Sequence, residues 1–377
     1  MLSQTAWKRP SGQNLRPFRP GVPALWDFPF QEWFRLMGRQ SRSLGFEAFG
    51  YGDPAGFLPL RQAIVQYLRL SRGVRCEPEQ VIIVHGIQQA LGLACQLLLG
   101  PGDGAWIEDP GYNGAREAMR MTGVRPIPVP LDAEGLSVQA GQEIAPDVKL
   151  AYVTPSHQYP MGVVMSLARR LELLDWAARN NAWILEDDYD SEYRYSGRPL
   201  AALQGIDQNG RVVYLGTFSK VLFPAMRMGY MVAPPALAEP FQRAKDYTDR
   251  GNSILEQATL AAFLEEGRLE RHLRRMRALY RERQEALIHW SGKLLGNALL
   301  VPSSDTGLHA VGWLEKSQDD SRVAELLRQK EVVASPISGY TQQFRQAPGL
   351  VLGYAPYREE LIREALEKVA AAMEVKG

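Results

Sequence analysis

A strand-then-helix alternation dominates the 377-residue sequence. The apolar segment QVIIVHG, residues 80–86, precedes the helical segment IQQALGLACQLLL, and GAWIED precedes YNGAREAMRMTG. The segments LAYVTP and AWILEDDY repeat the pattern on either side of SLARRLELLDWAARNN. Such alternation is typical of a mostly parallel β-sheet covered by helices, because parallel strands need long crossover connections. We therefore predict an α/β fold.

The pattern changes after residue 252. A charge-laced helical stretch that contains ERHLRRMRALYRERQEAL leads to short strands, LHAVGWL, VVASPI and GLVLGYA, and to two more helical segments. The predicted organisation has four parts: an N-terminal arm and the start of a small domain over residues 1–45, a large domain over 46–252, a long linking helix over 253–291 and a small C-terminal α+β domain over 292–377.

Charge and composition limit the partners that this chain is expected to have. The formal net charge of +1 gives no general attraction to nucleic acid or to an anionic membrane. The first residues, MLSQTAWKRPSGQNLRPFRP, lack the apolar centre of a signal peptide. The two cysteines, Cys76 and Cys95, have no ligand spacing, so neither a metal site nor a disulfide framework is expected. These features favour a cytoplasmic protein.

A lysine stands at the end of one apolar segment. The β-rich run RVVYLGTF, residues 211–218, places Lys220 just beyond the carboxyl end of the strand. A solvated lysine with its stem along apolar surface is the simpler interpretation of this residue alone. Ligands of α/β sheets, however, bind at the carboxyl ends of the strands. The position therefore indicates that Lys220 is a candidate site residue.

Acidic residues follow a second apolar strand. The segment WILEDDYDSEYRY, residues 183–195, contains Asp187 and Tyr189 just after its apolar start. An acidic, solvated loop is the alternative. Because the carboxyl end of this strand also belongs to the ligand-binding edge, the sequence predicts that a carboxylate and a tyrosine meet Lys220 in one crevice.

A lysine, a carboxylate and a tyrosine match the needs of pyridoxal phosphate. The aldehyde of this cofactor binds a lysine amine as a Schiff base, a carboxylate keeps the ring nitrogen protonated, and a donor contacts the phenolate oxygen. The phosphate needs backbone N–H groups, hydroxyls and an arginine. Candidates for these contacts are Gly86, Ile87, Gln88, Thr217, Ser219 and Arg227, and Tyr112 of EDPGYNGAR is a candidate for stacking on the ring.

Several longer phrases carry a resemblance to a known family. They are FRPGVPAL, FGYGDPAGFLPLRQAI, EDPGYNGAR, VTPSHQYPMG, ILEDDYDSEYRY and YLGTFSKVLFPAMRMGYMVAP, over residues 18–234, and GLVLGYA extends the likeness further. The chain resembles fold-type I pyridoxal-phosphate enzymes of the aspartate aminotransferase superfamily. It resembles more closely the aminotransferase-like domain of MocR-type (GntR-family) regulators. The resemblance implies a large domain with a central sheet and a smaller C-terminal domain.

The resemblance also implies roles for single residues. Lys220 is expected to form the internal aldimine, Asp187 to pair with the pyridine nitrogen, and Tyr189 to donate to the phenolate oxygen. Tyr112 is expected to stack on the ring. Tyr51 of FGYGDPAG is expected to reach the phosphate of the neighbouring subunit, which implies a homodimer with shared active sites.

The cofactor site departs from the family pattern at two places. Ile87 stands where the family usually has a small hydroxyl residue, so the backbone must supply that phosphate contact. Tyr159-Pro160-Met161-Gly162 replaces the frequent Asn-Pro-Thr-Gly. His157, two residues before this loop segment, is our candidate for a cofactor contact from the loop.

The substrate end departs as well. Catalytic members generally carry an arginine for the substrate carboxylate at the position of Val351 in GLVLGYA. Arg345 is the nearest basic candidate for this role, and Arg116 is the second. A solvated Arg345 in the polar loop TQQFRQAPG is the alternative.

Two functions remain open at this point. The first is an aminotransferase that acts on an amino acid or a related amine through Lys220. The second is the cofactor- and effector-binding domain of a MocR-type regulator, with little turnover. Such regulators carry an N-terminal winged helix-turn-helix domain, and the residues before FRPGVPAL are too few to form one, so we expect no direct nucleic-acid binding by this chain.

Overall fold

The computed structural model describes residues 16–197 and 200–373. The helices within these residues are α1 (Phe30–Ser43), α2 (Leu58–Arg72), α3 (Ile87–Leu98), α4 (Asn113–Met121), α5 (Val138–Ile144), α6 (Leu167–Arg179), α7 (Leu203–Ile206), α8 (Pro235–Asp249), α9 (Ile254–Glu265), α10 (Arg268–Leu295), α11 (Asp320–Gln329) and α12 (Glu359–Ala372). The strands are β1 (Val81–Val84), β2 (Gly104–Asp109), β3 (Arg125–Asp132), β4 (Gly135–Leu136), β5 (Leu150–Val153), β6 (Trp183–Asp188), β7 (Val212–Thr217), β8 (Gly229–Val232), β9 (Leu299–Leu300), β10 (His309–Leu314), β11 (Ser335–Pro336) and β12 (Gly349–Gly353).

A mixed sheet forms the centre of the larger part of the fold. Its strand order is β1-β8-β7-β6-β5-β2-β3-β4. The pairs from β7 to β3 in this order are parallel, whereas β8 is antiparallel to β7 and to β1, and β4 is antiparallel to β3. The predicted α/β fold with a mostly parallel central sheet is confirmed.

Helices cover both faces of this sheet. In β6, Ile184 and Leu185 are both fully buried, but they belong to different hydrophobic clusters because successive strand residues point to opposite faces. One cluster includes Leu91 of α3 and Phe241 of α8, and the other includes Leu173 of α6. Each fully buried aliphatic side chain contributes roughly 1.5–3 kcal/mol relative to exposure. Burial on both faces explains why these strands are uniformly apolar in the sequence.

A second, antiparallel sheet forms the smaller part of the fold, with the order β11-β12-β10-β9. The N-terminal segment joins it, because Phe18 forms an isolated bridge with Gly353 and the backbone N–H of Val333 donates to the carbonyl of Pro17. This attachment carries the next residues, Pro20 and Gly21, to the wall of the main cavity.

The interval predicted as one linking helix, residues 253–291, contains two helices. α9 ends at Glu265, and α10 begins at Arg268 and continues to Leu295. Gly267 separates them with a φ of +64°, a left-handed conformation that glycine adopts without steric cost. The domain boundaries themselves stay a prediction.

Parallel strands bring the expected site residues to one edge. β5, β6 and β7 run in the same direction, so Thr154, Asp188 and Thr217 all lie at their carboxyl ends. The loop after β1, with Gly86, opens at the same edge, since β1 is antiparallel to β8, which is antiparallel to β7. The main cavity lies there.

The cysteines and the apolarity of the helices were also considered in the sequence. Both cysteines, Cys76 and Cys95, are buried and unbonded to each other. Within residues 16–197 and 200–373, the helices include none with the length and apolarity that a membrane crossing requires.

Candidate active site

Lys220 lies at the wall of a cavity of about 280 Å³. It follows the end of β7 by three residues, and its Nζ donates a hydrogen bond of 2.7 Å to the carbonyl oxygen of Gly21. Gly21 has a φ of +74°, which favours glycine, and a Cβ on it would stand 2.9 Å from this Nζ and displace the amine. Burial lowers the pKa of Lys220, while Asp190 and Asp187 oppose that shift. A larger neutral fraction makes the amine a better nucleophile.

Asp187 lies across the same cavity, near the end of β6. The hydroxyl of Tyr152, on β5, donates to its Oδ2 at 2.6 Å. Its Oδ1 is buried and has no hydrogen-bond partner among the described residues. Burial raises the pKa of Asp187 to about 7, although the Tyr152 hydrogen bond opposes this. A positively charged group facing Oδ1 would satisfy the oxygen and restore the ionised form.

Gly86 and Arg227 lie beside each other in the cavity wall. Gly86 caps the N-terminus of α3 with a φ of +102°, and a Cβ placed on it would lie 3.7 Å from Arg227 Nη2. The first residues of α3, Ile87 and Gln88, line the cavity as well. A helix N-terminus with unpaired backbone N–H groups beside a guanidinium is a suitable site for a phosphate.

Two hydroxyl residues close to Lys220 in the sequence also line the cavity. Thr217 and Ser219 both line the cavity, and the Thr217 Oγ1 accepts a 3.1 Å hydrogen bond from the Ser219 backbone N–H. Arg227 itself holds a left-handed conformation, with φ of +49°. An arginine in this strained conformation is more costly than glycine would be, so its side chain must contribute something that glycine cannot.

Tyr112 precedes α4 and lines the cavity. The side-chain amide of Gln88 donates to its hydroxyl at 3.1 Å, and its ring meets Tyr159 edge-on at a centroid distance of 5.9 Å. These contacts hold an aromatic ring in the cavity wall, as stacking on a planar cofactor requires.

Tyr189 lies in the cavity wall and contacts His157 from the neighbouring loop. The Tyr189 hydroxyl is 3.0 Å from His157 Nδ1, and the same nitrogen is 3.0 Å from Asp190 Oδ2. Two glycines leave room for the imidazole: a Cβ at Gly307 would stand 2.1 Å from His157 Cε1, and one at Gly162 would stand 3.3 Å from Nε2. His157 therefore acts on the cavity through Tyr189 and does not itself line it.

His309 extends this group. Its ring lies 5.0 Å from that of His157, and its Nε2 is 3.1 Å from the carbonyl oxygen of Pro160. Burial lowers the pKa of His309 to about 3, so the imidazole is neutral at physiological pH. His157, Asp190 and His309 are the one group of possible metal ligands found among the described residues. Their atoms already bond to one another, to Tyr189 or to the backbone.

Besides His157, three other predicted residues lie outside the cavity wall. Tyr51 is 87% exposed, and the guanidinium of Arg250 lies over its ring at 5.4 Å. Arg116 Nε is 3.3 Å from Glu117 Oε1. Arg345 is exposed in the loop before β12. The predicted substrate roles of Arg116 and Arg345 stay predictions.

Sequence reasoning missed several residues that complete the site. Tyr152 lies on β5 and Thr154 directly follows this strand; the Tyr152 hydroxyl donates to Asp187, and the Thr154 hydroxyl donates to Glu108 Oε2 at 2.6 Å. Gly21 belongs to the segment FRPGVPAL, and its carbonyl oxygen accepts the hydrogen bond of Lys220. Strand residues buried on both faces give no periodic signal, so only the sheet register identifies these partners.

The sequence matches a known family. The family "Aminotransferase class I and II" matches residues 28–369. A probable rhizopine catabolism regulatory protein MocR from Rhizobium meliloti is 41% identical over 358 residues, which cover 94% of this chain and 72% of that protein. The chain belongs to the aminotransferase class I and II family.

Solved structures show the same fold. The Pyrococcus horikoshii kynurenine aminotransferase, in complex with PMP, superposes with a TM-score of 0.87 at 27% identity, over 100% of this chain and 98% of that chain. The α-aminoadipate aminotransferase of Thermus thermophilus, complexed with N-(5'-phosphopyridoxyl)-L-leucine, gives 0.87 at 28% identity, over 96% and 92%. The family and these bound groups indicate a pyridoxal phosphate cofactor, and the unpaired Asp187 Oδ1 and the Gly86–Arg227 cradle fit it.

Proposed function

We propose that this chain is a pyridoxal-phosphate-dependent aminotransferase that acts on an amino acid or a related amine. The observation that carries the proposal is the meeting of Lys220, Asp187 and Arg227 in one cavity at the carboxyl edge of the sheet. A buried carboxylate oxygen without a partner is costly to retain unless a ligand completes it. A cationic ring nitrogen is such a ligand.

Residues at the two ends of the cavity would hold the cofactor. The Arg227 guanidinium, the hydroxyls of Thr217 and Ser219 and the first backbone N–H groups of α3, at Ile87 and Gln88, would bind its phosphate. These groups would bind the phosphate without the side-chain hydroxyl that the family usually has at the position of Ile87.

The remaining contacts would orient the cofactor ring. Asp187 would pair with the ring nitrogen through Oδ1, Tyr189 would donate to the ring oxygen, and Tyr112 would stack on the ring. His157 would position Tyr189. We also propose that the exposed Tyr51 reaches the phosphate in a second copy of the chain, so that the functional unit is a homodimer with shared sites.

Lys220 would act as the general base and then as the general acid. When bound, pyridoxal phosphate draws electron density from the carbon that bears the substrate's amino group. The Lys220 Nζ, with its lowered pKa, is placed to take the proton from that carbon and to return it. The net reaction exchanges groups without an external oxidant: one molecule gives its amino group and a hydrogen, and a carbonyl compound takes both and gives its oxygen.

Borohydride fixation tests this assignment. The protein loaded with pyridoxal phosphate is reduced, digested and mapped by mass spectrometry, and the expected phosphopyridoxyl adduct is on Lys220. The Lys220→Ala variant should carry none. Lys245, also buried but ion-paired with Asp249 at 2.6 Å, provides the matched control, so Lys245→Met should keep the adduct on Lys220. An adduct that persists in the Lys220→Ala protein refutes the assignment.

A second function has its own supporting observation, which is the 41% identity to a regulatory protein. In this alternative, the same cavity binds the cofactor and an amine as a signal, with little turnover. Product counting separates the two functions. An aminotransferase forms oxo product in large molar excess over protein when donor amine and carbonyl acceptor are both present, whereas a sensor forms at most one equivalent.

A further inference from the structure

We propose that the external ligand of this cavity is a small hydroxylated amine without a carboxylate group. The inference rests on the proposed function, since it assumes that an amine reacts at Lys220. It concerns the wall that faces this amine, at the end of the cavity away from Gly86.

In the proposed complex, both cationic side chains of the cavity wall bind the cofactor. Among the described residues, those that line the cavity include two cationic side chains, Lys220 and Arg227. Arg227 lies against Gly86 at the phosphate end, and Lys220 is needed for the covalent link to the cofactor. A carboxylate bound at the other end would therefore meet no cation from these lining residues.

Two acidic groups, Asp190 and Asp187, act on Lys220. Asp187 lines the cavity and is matched by the ring nitrogen when the cofactor is bound. Asp190 is buried behind Tyr189 and close enough to oppose the lowering of the Lys220 pKa by burial. A negative charge at this distance in a poorly hydrated wall repels a carboxylate and attracts an ammonium group.

Among residues 16–197 and 200–373, the other arginines considered for this role do not line the cavity. Arg345 is exposed in its loop, and Arg116 is paired with Glu117. Arg19 is half-buried and its charge acts on Lys220, but its side chain is not part of the cavity wall. On β12, Val351 is fully buried and packs in an apolar cluster with Val311 and Ile337.

The wall is instead rich in neutral hydrogen-bonding groups. Tyr159 lines the cavity, and its hydroxyl is 2.9 Å from that of Tyr340. His309 lines the cavity as a neutral imidazole and separates it from a smaller space of about 140 Å³. Ser303 and Ser304 line that second space, and the described residues around it include no lysine or arginine. Hydroxyl groups on the ligand would suit these donors and acceptors.

A matched pair of amines tests the inference. Serinol and L-serine differ only in that serinol carries a second hydroxymethyl group in place of the carboxylate. The protein loaded with pyridoxal phosphate is titrated with each, reduced with borohydride and analysed for the fraction of Lys220 that still carries the cofactor. An amine that displaces Lys220 lowers this fraction. We expect serinol to act at a concentration about tenfold or more below that of serine, because the carboxylate loses its hydration without gaining a cation.

The opposite order, or equal potency, overturns the inference. If neither amine displaces Lys220, the inference also fails, whereas the proposed cofactor link survives as long as the untreated protein shows the Lys220 adduct. The two failures are thus distinguishable.

Two variants test whether the lack of a cationic partner for the carboxylate makes serine the weaker ligand. Val351→Arg should lower the concentration of serine that is needed by about tenfold, because it introduces a partner for the carboxylate. Since a buried arginine can prevent folding, Arg19→Gln provides an independent test: it alters Lys220 for both amines alike, so the ratio of the serine concentration to the serinol concentration should stay unchanged. A ratio that rises about tenfold in Arg19→Gln would identify Arg19 as a carboxylate anchor and overturn the proposal.

Discussion

The imidazole Nδ1 of His157 lies 3.0 Å from the Asp190 carboxylate, and both side chains are buried. A carboxylate accepts hydrogen bonds only, so Nδ1 must carry the proton and donate it to Asp190. The Tyr189 hydroxyl, also 3.0 Å from Nδ1, therefore finds no lone pair there. Its own hydrogen is left free to point into the cavity, towards the ring oxygen of a bound cofactor.

His157→Gln should change the acid–base behaviour of the loaded protein. A Tyr189 donor stabilises the ring oxygen most when the oxygen carries its full negative charge, so a misaligned donor favours the protonated form. The pH midpoint of the visible absorbance change should rise by roughly 0.5–1 unit, in keeping with the loss of one hydrogen bond. Spectrophotometric titration of the loaded protein measures this.

The same substitution in a Tyr189→Phe background gives the control for His157. With the phenol absent, His157→Gln should not move the midpoint further, since the two residues act as one unit. Equal shifts in both backgrounds would show that His157 acts independently of Tyr189.

Asp187→Asn should change how the stability of the cofactor-free protein depends on pH. Burial raises the pKa of Asp187 to about 7, so between about pH 4 and pH 7 the folded protein binds a proton that the unfolded chain releases. The contribution of Asp187 to the free energy of unfolding is therefore largest at low pH, and it is lost as the pH rises to about 7. The fall in Tm from about pH 5 to about pH 8 should therefore be smaller in Asp187→Asn than in the parent, by roughly a few degrees.

Calorimetry at several pH values tests the Asp187 prediction. The exposed Asp246 provides the control, since Asp246→Asn should follow the parent curve. A Tm profile of Asp187→Asn that runs parallel to the parent would contradict the assignment of a raised pKa to this carboxyl.

Arg227→Gly should separate backbone strain from cofactor binding. Glycine accepts the φ of +49° without cost, so the cofactor-free variant should be as stable as the parent or more stable. Loss of the guanidinium should raise the dissociation constant of pyridoxal phosphate by roughly 10–100-fold, as for a charge-assisted hydrogen bond. Fluorescence titration and thermal melts measure the two effects.

Glu331→Gly is the matched control for Arg227→Gly. Glu331 is an exposed residue with a φ of +64°, so its replacement relieves the same type of strain away from the cavity. Cofactor affinity should not change in this variant. An unchanged affinity in Arg227→Gly would remove Arg227 from the phosphate site.

Mixing Tyr51→Ala with Lys220→Ala should restore some native sites. If Tyr51 completes the site of a neighbouring subunit, each mixed dimer has one site with both native residues, and random reassortment restores roughly a quarter of all sites. Borohydride-fixed adduct, counted before and after subunit exchange, reports the result. A sedimentation experiment that finds a monomer with bound cofactor would exclude this arrangement.

The sequence by itself determined the fold class and the residue types that meet at the candidate site. Alternating apolar strands and helices indicated an α/β sheet, and the positions of Asp187 near the end of one strand and of Lys220 just beyond another placed them at the ligand-binding edge. These inferences hold because the alternation and the strand direction depend on local pattern and on a general rule of parallel sheets.

Only the tertiary structure decided which groups touch. Gly21 reaches Lys220 from a segment 199 positions away in the sequence, and Tyr152 reaches Asp187 because β5 and β6 are neighbours in the sheet. The break at Gly267, which turns a predicted single helix into two, has a sequence signal in the glycine itself, but only the structure shows that this glycine adopts the left-handed conformation between α9 and α10. Contacts between distant segments depend on register and packing, which no local periodicity encodes.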